Sequence, residues 1–288
     1  MLKRTGGKSM RVVILKTSEA VSQRAADLVC ETIAAEEAPV LGLATGGTPV
    51  ATYQELVRRY EAGDVTFSAC TTFNLDEYVG LPEGHPESYR CFMNQHLFER
   101  ADFHTARCHL PQGDTQDLQQ ACQAYEAKIR RSGGIDLQIL GIGTDGHIAF
   151  NEPGSSLASR TRLKALTEQT RRDNSRFFDS LDEVPKLSIT MGIGTILEAQ
   201  KIVLLATGKG KAAAVQALAE GPVTASVPAS ALQLHANVTL LLDETAASKL
   251  ERLEYYMHVE EIQRSLEQEQ RDGSKLDRVG SQFDRIAE

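Results

Sequence analysis

One loop of the sequence brings together an acid, a histidine and a second acid. Asp145, His147 and Glu152 lie within eight residues, among glycines, directly after the apolar run at residues 136–140. An imidazole titrates near neutral pH, and neighbouring carboxylates orient and polarise it. We therefore expect His147 to be a proton shuttle assisted by Asp145 and Glu152. A histidine that caps a buried turn is one alternative. A metal site is another, but it is disfavoured because the loop has no H-E-x-x-H motif and no second histidine.

A pair of adjacent acids follows another apolar run. Asp76 and Glu77 come directly after residues 71–75. A carboxylate at a strand end is a candidate general base, whereas acids on a solvated corner or at a helix N-terminus have only a structural role. Neighbouring side chains point in different directions, so at most one of the two is the base.

Two glycine-rich turns are candidate phosphate sites. Residues 45–48 follow the run 40–44 and open into a helical pattern, and residues 207–211 repeat this arrangement after the run 201–206. Glycines allow close approach of the backbone to a ligand, and a helix N-terminus presents unpaired N–H groups. A Gly-Gly pair that only makes the corner is the alternative. The second turn adds a cation but lacks the Walker A spacing. The groups concerned are Thr45, Gly46, Gly47, Thr48 and Lys211.

Alternating cations follow the histidine loop. Arg160, Arg162 and Lys164 share one face if the segment is extended. Between residues 160 and 176, six cationic and two anionic residues give a local net charge of +4 in a chain whose net charge is −8. Such a local excess favours an anion site, although a solvated charged face is the usual role of charge runs.

The candidate loops follow short apolar runs that predict a parallel sheet. Runs of this kind occur at residues 11–15, 40–44, 71–75, 136–140, 201–206 and 238–242. They are almost continuously apolar, as strands buried on both faces are. Helical spacing lies between them. We therefore expect a single-domain α/β fold with a doubly wound, mainly parallel, Rossmann-like sheet flanked by helices, and ligands at the carboxyl ends of the strands.

The ends of the second helix and of the domain can also be placed. Thr48 is the expected N-cap, Pro49 the first helical residue, and Gly63 the end of this helix.

The sequence also divides the chain into three parts. Residues 1–9 carry no core-forming pattern and are expected to be an extension. Residues 10–262 form the expected catalytic domain, and residues 263–288 a polar tail that is either a short docked helix or a frayed end.

Composition excludes several classes of protein. The chain has 288 residues, of which 41% are hydrophobic and 24% charged, as in ordinary globular proteins. No apolar run approaches the roughly 20 residues of a membrane helix, and no signal-peptide pattern follows the basic start. Five cysteines without a C-x-x-C pair disfavour a disulfide framework or a thiolate zinc site and favour the cytoplasm. The acidic net charge disfavours nucleic-acid binding.

Five motifs in combination resemble those of the glucosamine-6-phosphate deaminase family. They are Leu43-Ala-Thr-Gly-Gly-Thr-Pro49, Phe73-Asn-Leu-Asp-Glu-Tyr-Val-Gly80, His85-Pro-Glu-Ser-Tyr89, Asp145-Gly-His-Ile-Ala-Phe-Asn-Glu-Pro153 and Leu157-Ala-Ser-Arg-Thr-Arg162. The likeness extends from about residue 10 to about residue 260. The related 6-phosphogluconolactonases share the fold and an Asp-Gly-His turn, but they typically lack Asn-Glu-Pro and the Asp-Glu-Tyr motif.

The resemblance implies a reaction and a role for each group. The family converts glucosamine 6-phosphate and water to fructose 6-phosphate and ammonium, without a metal or an organic cofactor. By this resemblance His147 opens the pyranose ring with the support of Asp145 and Glu152. Asp76 then takes the C2 proton of the open-chain aldose and returns it at C1. The groups implied to hold the substrate phosphate are Thr45, Gly46, Gly47, Thr48, Arg176 and Lys211.

The resemblance also implies regulation and assembly. In family members of the allosteric, hexameric type, N-acetylglucosamine 6-phosphate binds as an activator at a subunit interface. The matching positions are Ser155, Ser156, Arg162, Lys164 and Tyr255. In those members the free N-terminal amine contacts the activator's phosphate, and their first residue corresponds to Met10. Residues 1–9 would remove that amine, so either Met10 is the natural start or the activation of this protein differs. The resemblance thus implies a cytoplasmic homo-oligomer that acts in amino sugar catabolism.

Three other functions stay open at this point. The first is deamination of galactosamine 6-phosphate, because the sequence does not fix the C4 epimer. The second is a non-catalytic regulator that senses sugar phosphates. Such regulators carry an attached DNA-binding domain, but no helix-turn-helix precedes Val12, and the complete set of acid–base groups also disfavours this function. The third is a lactonase, which would release no ammonium.

Overall fold

The computed structural model describes residues 10–82, 84–175 and 178–284, with the backbone alone described at 169, 173 and 270–284. Its strands are Arg11–Leu15 (β1), Val40–Leu43 (β2), Thr71–Asn74 (β3), Asp76–Tyr78 (β4), Cys108–His109 (β5), Leu137–Leu140 (β6), Arg162–Ala165 (β7), Leu187–Thr190 (β8), Lys201–Ala206 (β9) and Val238–Asp243 (β10). Its α-helices are Ser18–Ala35 (α1), Gly47–Glu61 (α2), Tyr89–His96 (α3), Leu118–Arg131 (α4), Glu168–Asn174 (α5), Ile193–Ile196 (α6), Ala212–Glu220 (α7) and Leu253–Asp284 (α8).

The central sheet is parallel throughout and has the order β1-β10-β9-β6-β2-β3-β5. Six of its strands coincide with the six apolar runs, to within a residue at their ends, so the predicted sheet is confirmed. The short strand β5 was not predicted, because two residues carry no readable pattern. Successive residues of β9 and β10 are buried, which requires cover on both faces of the sheet. The helices that flank the sheet provide this cover in a single domain.

A second, smaller sheet stands next to the carboxyl end of β3. It is antiparallel, with the order β4-β8-β7, and Leu75 alone separates β3 from β4. Thr190 of β8 pairs with Asp76 on one side and with Arg162 on the other. The sequence did not predict this sheet, since β4 has three residues and β7 alternates half-buried and exposed positions without an apolar face.

Helix α2 starts two residues earlier than predicted. The helix begins at Gly47, and its N-cap is Gly46, whose φ is +95°. Thr48 is therefore inside the first turn and is not the N-cap, and Pro49 follows it there. Proline is accommodated in the first turn because the N–H groups of that turn have no partner within the helix. The helix ends at Glu61, and Gly63 has a φ of +78°, so the predicted end is confirmed.

The C-terminal part of the described chain is one long helix. The predicted boundary at residue 262 falls inside α8, whose backbone continues to Asp284 as a single element rather than as a separate short helix. Ion pairs fix α8 to the first strand: Arg11 lies 2.6 Å from Glu260 and 2.7 Å from Glu267. Residues 1–9, the expected extension, lie outside the described residues.

The five cysteines all lie in the described part of the chain, and each is a free thiol. In the same part of the chain, no helix has the length and apolar character needed to cross a lipid bilayer.

Candidate active site

The loops at the carboxyl ends of β2, β3, β6 and β9 enclose a cavity of about 610 Å³. Predicted site residues from four separate segments line it: Thr45, Gly46, Gly47, Thr48, Asp76, His147 and Lys211. A parallel sheet brings these segments together because its strands all end at the same edge. The fold therefore combines the candidate phosphate turns, the candidate base and the candidate proton shuttle in one cavity.

The imidazole of His147 is fixed by Asp145. Its Nδ1 atom lies 2.6 Å from Oδ1 of Asp145, and its backbone N–H donates to the same oxygen at 3.2 Å. The hydrogen bond from His147 lowers the pKa of Asp145 to about 2, so this carboxyl is ionised at neutral pH. With Nδ1 held by a carboxylate, Nε2 is the ring nitrogen available to a ligand. The predicted pairing of Asp145 with His147 is thus present.

A glycine makes room for this imidazole. A Cβ atom built on Gly143 would lie 2.2 Å from both Cε1 and Nδ1 of His147, far inside van der Waals contact. Gly143 also donates its N–H to the carbonyl oxygen of His147 at 2.9 Å, which closes the loop. The requirement for glycine at residue 143 is therefore steric, since its φ is not in the left-handed region.

The carboxyl of Asp76 is buried at the edge of the same cavity. Burial, with a further contribution from the charge of Glu77, raises the pKa of Asp76 to about 8. Once it is ionised, a carboxylate whose pKa is raised in this way is a stronger general base than a solvated one. Glu77 does not line this cavity, which agrees with the expectation that at most one of the two acids is the base.

The carboxylate of Glu152 is engaged elsewhere. It is buried, and its Oε1 accepts hydrogen bonds from the N–H of Thr167 at 3.0 Å and from the hydroxyl of Thr170 at 2.6 Å. The direct contact with His147 that the sequence suggested is therefore not made. The loop turns between the two residues, where Ala149 has a φ of +51°, and this turn directs residue 152 towards α5. Glu152 instead holds the start of α5, from which Thr170 lines the cavity.

The predicted phosphate groups are partly assembled. The first turn of α2 and Lys211 belong to the same cavity wall, so a helix N-terminus and a cation meet there. Gly208 has a φ of +85° and donates its N–H to Asp243 at 2.9 Å, which fixes the turn that precedes Lys211. Arg176, the remaining predicted phosphate ligand, lies outside the described residues.

Two cations of the charged run at residues 160–176 have structural partners within the chain. Arg160 pairs with Glu126 and, at 2.6 Å, with Glu198. Arg171 is buried and donates to the backbone carbonyls of Leu181 and Val184. Two cations of the run are thus consumed by structural contacts, and the sequence could not show this because their partners are distant in the chain or are backbone groups.

The candidate activator residues occupy several elements. Arg162 and Lys164 are both half-buried on one face of β7, and Arg162 donates to Oδ1 of Asn151 at 2.9 Å. Ser155 is buried, whereas 60% of Tyr255 on α8 is exposed. The five positions thus belong to three parts of the fold: the loop before β7, β7 itself and α8.

Four residues of the cavity wall were not predicted from the sequence. Tyr89, Phe150, Thr170 and Asn174 also line the cavity, and the Tyr89 and Phe150 rings stack with centroids 6.0 Å apart. Tyr89 belongs to one of the motifs quoted above, and Thr170 and Asn174 are four residues apart on α5. Neither signal identifies a cavity wall without the fold. Among the described residues, no cluster of three or more histidine, cysteine or acidic side chains could hold a metal ion.

Comparison with known proteins gives a consistent set of relatives. The sequence model of the family described as glucosamine-6-phosphate isomerases/6-phosphogluconolactonase matches residues 16–241. The glucosamine-6-phosphate deaminase of Shewanella loihica is 54% identical over 87% of this chain and 94% of its own length. That of Cellvibrio japonicus is 56% identical over 87% of this chain and 95% of its own.

Solved structures agree with these relatives. A monomeric glucosamine-6-phosphate deaminase superposes with a TM-score of 0.82 at 48% identity, over 83% of this chain and all of that one. The 6-phosphogluconolactonase of Trypanosoma brucei superposes with a TM-score of 0.69 at 20% identity, over 85% of this chain and all of that one. The second similarity concerns the fold alone.

Proposed function

This chain belongs to the family of glucosamine-6-phosphate isomerases and 6-phosphogluconolactonases, and on that premise we propose that it is a deaminase that converts glucosamine 6-phosphate and water to fructose 6-phosphate and ammonium. The observation that carries the proposal is the buried carboxyl of Asp76 in the same cavity as the His147–Asp145 pair. Lactone hydrolysis requires no proton transfer between carbon atoms, whereas an aldose–ketose conversion requires such a base.

The first step is ring opening. The phosphate lies against the first turn of α2 and Lys211, with Arg176 as a further ligand, and the sugar reaches towards His147. His147 accepts the proton of the anomeric hydroxyl and delivers it to the ring oxygen, while Asp145 holds Nδ1 and stabilises the imidazolium. Glu152 acts indirectly, by holding the start of α5, whose residues Thr170 and Asn174 line the cavity.

The second step transfers a proton between carbons. Asp76 removes the C2 proton of the open-chain aldose, a proton of the C2 ammonium passes to the aldehyde oxygen at C1, and an enediol-like intermediate forms. The same carboxyl then returns a proton at C1. The C2 carbon then carries an imine, to which water adds; the water oxygen becomes the ketone oxygen, and the nitrogen leaves as ammonium. A positioned acid or base contributes roughly 10²–10⁴-fold to such a step.

The proposal is tested with purified protein. Glucosamine 6-phosphate should yield ammonium and fructose 6-phosphate in equal amounts, and Asp76→Asn should bind substrate but release neither product. Galactosamine 6-phosphate and 6-phosphogluconolactone are supplied in parallel. A faster reaction with galactosamine 6-phosphate would change the proposed substrate. Hydrolysis of the lactone, combined with no ammonium release from glucosamine 6-phosphate, would overturn the proposal.

We further propose that Ser155, Ser156, Arg162, Lys164 and Tyr255 bind N-acetylglucosamine 6-phosphate as an activator in a homo-oligomer, a hexamer by family resemblance. Two contacts favour coupling to catalysis. Thr190 pairs with both Asp76 and Arg162, and Arg162 also holds Asn151 in the segment that follows His147. The cytoplasm is the proposed location, in keeping with the five free thiols.

Regulation and assembly are tested separately. In the wild type, the activator should raise the affinity for substrate by roughly 5–150-fold. Lys164→Ala should abolish this activation and leave the maximal rate intact. A chain that begins at Met10 should bind the activator more tightly than the full chain if a free amine contacts its phosphate. Sedimentation shows the oligomeric state; a monomer would place this chain with the monomeric deaminase that it resembles.

A further inference from the structure

The second acid of the Asp76–Glu77 pair faces a different cavity from the first. Asp76 lines the substrate cavity, while Glu77 lines a separate cavity of about 380 Å³ together with Arg90 and Lys128. Successive residues of a strand point to opposite faces, and β4 separates the two cavities in this way. Glu77 therefore does not touch a substrate bound beside Asp76.

The carboxylate of Glu77 is tied to the start of α3. Its Oε1 accepts the N–H groups of Tyr78 at 2.9 Å and Tyr89 at 3.0 Å, and its Oε2 accepts the N–H of Arg90 at 2.9 Å. Tyr89 and Arg90 are the first two residues of α3, whose N–H groups have no partner within the helix. A buried carboxylate that accepts three backbone N–H groups forms a rigid, charge-assisted connection between β4 and α3.

The connection joins two walls of the substrate cavity. β4 carries Asp76, and α3 carries Tyr89, which lines the same cavity and packs against Tyr78 with ring centroids 4.9 Å apart. Tyr89 also stacks on Phe150, from the loop that contains His147. Any movement of α3 relative to β4 therefore changes the position of the base relative to the wall opposite it.

We propose that Glu77 is a positioning residue of this enzyme: by binding the N-terminus of α3 to strand β4, it fixes Asp76 against the aromatic wall formed by Tyr89, and it places a second negative charge beside the base. This inference rests on the proposed deaminase function only for its kinetic test. The hydrogen bonds between Glu77 and the start of α3 are present in the folded chain, whatever reaction it catalyses.

The charge of Glu77 acts on Asp76 through a short, buried path. Burial is the largest cause of the raised pKa of Asp76, and the charge of Glu77 is the second. Asp76 is also faced by Tyr89 from α3 and Tyr125 from α4, both of which stay neutral because burial raises their pKa. His147 and Lys211 lie in the same cavity, and Arg90 is the cation beside Glu77. Removal of the Glu77 charge should therefore make Asp76 more acidic.

Two substitutions separate the geometric from the electrostatic effect. Glu77→Gln keeps the size of the side chain but removes its charge and points an NH₂ group at one N–H donor. We expect kcat to fall by on the order of tenfold or more with KM changed less, and the acid limb of kcat/KM to move to lower pH. Glu77→Asp keeps the charge but is shorter, so kcat should fall while the limb stays in place.

The matched control is Asp114→Asn, which removes a carboxylate from the wall of the same second cavity but from an exposed position. It should leave both kcat and the limb at wild-type values. Wild-type kinetics and a wild-type limb in Glu77→Gln would overturn the inference, as would an equal shift of the limb in Asp114→Asn.

An activity-independent measurement completes the test. Titration of the Asp76 side chain by ¹³C NMR should give a lower pKa in Glu77→Gln than in the wild type, with folding of each variant checked by thermal unfolding. An unchanged Asp76 pKa would refute the effect of the Glu77 charge on Asp76, whatever the substrate is.

Failure of the proposed function can be told apart from failure of this inference. If the wild type releases no ammonium from glucosamine 6-phosphate, the proposed function fails, and the NMR comparison still decides whether the charge of Glu77 acts on Asp76. Should Glu77→Gln not fold, Glu77→Asp decides it: a wild-type kcat in that variant would overturn the positioning role.

Discussion

Substitution of Gly143 by alanine should disable ring opening without any direct change to an acid–base group. The new Cβ would lie 2.2 Å from two atoms of the His147 ring, whereas non-bonded carbon atoms settle at about 3.5–4.0 Å. The ring must therefore retreat by about 1.3 Å or more, which breaks its 2.6 Å contact with Asp145. A displacement of this size at a reacting group lowers turnover on the order of 10²-fold.

The assay is the initial rate of fructose 6-phosphate formation from glucosamine 6-phosphate, with the melting temperature as a check on the fold. Gly63→Ala is the control, because Gly63 is exposed, lines neither cavity and has no heavy atom within 4 Å of a built Cβ, so that its φ of +78° makes the substitution cost stability alone. This control should retain the wild-type rate even if its melting temperature falls.

A double-mutant cycle shows whether the loss passes through the imidazole. In a His147→Gln background, Gly143→Ala should cost little more, because the group that it displaces is already absent. A wild-type rate in Gly143→Ala, or the full effect of this substitution in the His147→Gln background, would show that Gly143 does not act through the imidazole.

Three further predictions concern the base, the proton shuttle and the scaffold. Because the pKa of Asp76 is about 8 and the base must be ionised, kcat/KM should fall about tenfold per pH unit below that pH, and a rate that is level from pH 6 to 9 would contradict the assignment. His147→Gln should reduce turnover of the cyclic substrate more than the reverse reaction that starts from open-chain ketose, and equal losses would argue against a ring-opening role. Glu126→Ala should lower the free energy of unfolding by about 3 kcal/mol in urea titrations. The reason is that buried Glu126 accepts hydrogen bonds from Thr161 and Thr195 and pairs with Arg160. A change below about 1 kcal/mol would show that this network is solvated.

The main sheet could be predicted because burial on both faces leaves a direct mark on the sequence. Residues 201–206 and 238–242 are apolar at nearly every position, and both form central parallel strands. Helix α1 shows its inner face in the same way, through Val21 and Ala25. The small sheet leaves no such mark. Its strands are short and carry polar residues, and their pairing depends on the position of β8, which is more than a hundred residues from β4 in the chain.

The site could be predicted where its chemistry is local and not where it depends on packing. Asp145 and His147 are two residues apart and do form a pair. Glu152 is only five residues beyond His147, yet its bonds go to Thr167 and Thr170, because α5 docks against that loop. In the same way, the charge of Arg160 suggested an anion site, but a glutamate from α4 neutralises it. Local spacing identifies candidate groups, and the fold decides which partners they meet.

The central claim is that Asp76 carries a proton from C2 to C1 of the open-chain sugar. Glucosamine 6-phosphate with deuterium at C2 tests it directly, when single-turnover rates are measured and the fructose 6-phosphate is examined by NMR. We expect slower turnover than with the unlabelled sugar, deuterium at C1 in part of the product, and no product from Asp76→Asn. Three results would together contradict this claim. The wild-type enzyme would turn over the deuterated and the unlabelled sugar at the same rate, its product would carry no deuterium at C1, and Asp76→Asn would retain turnover within a few-fold of the wild type.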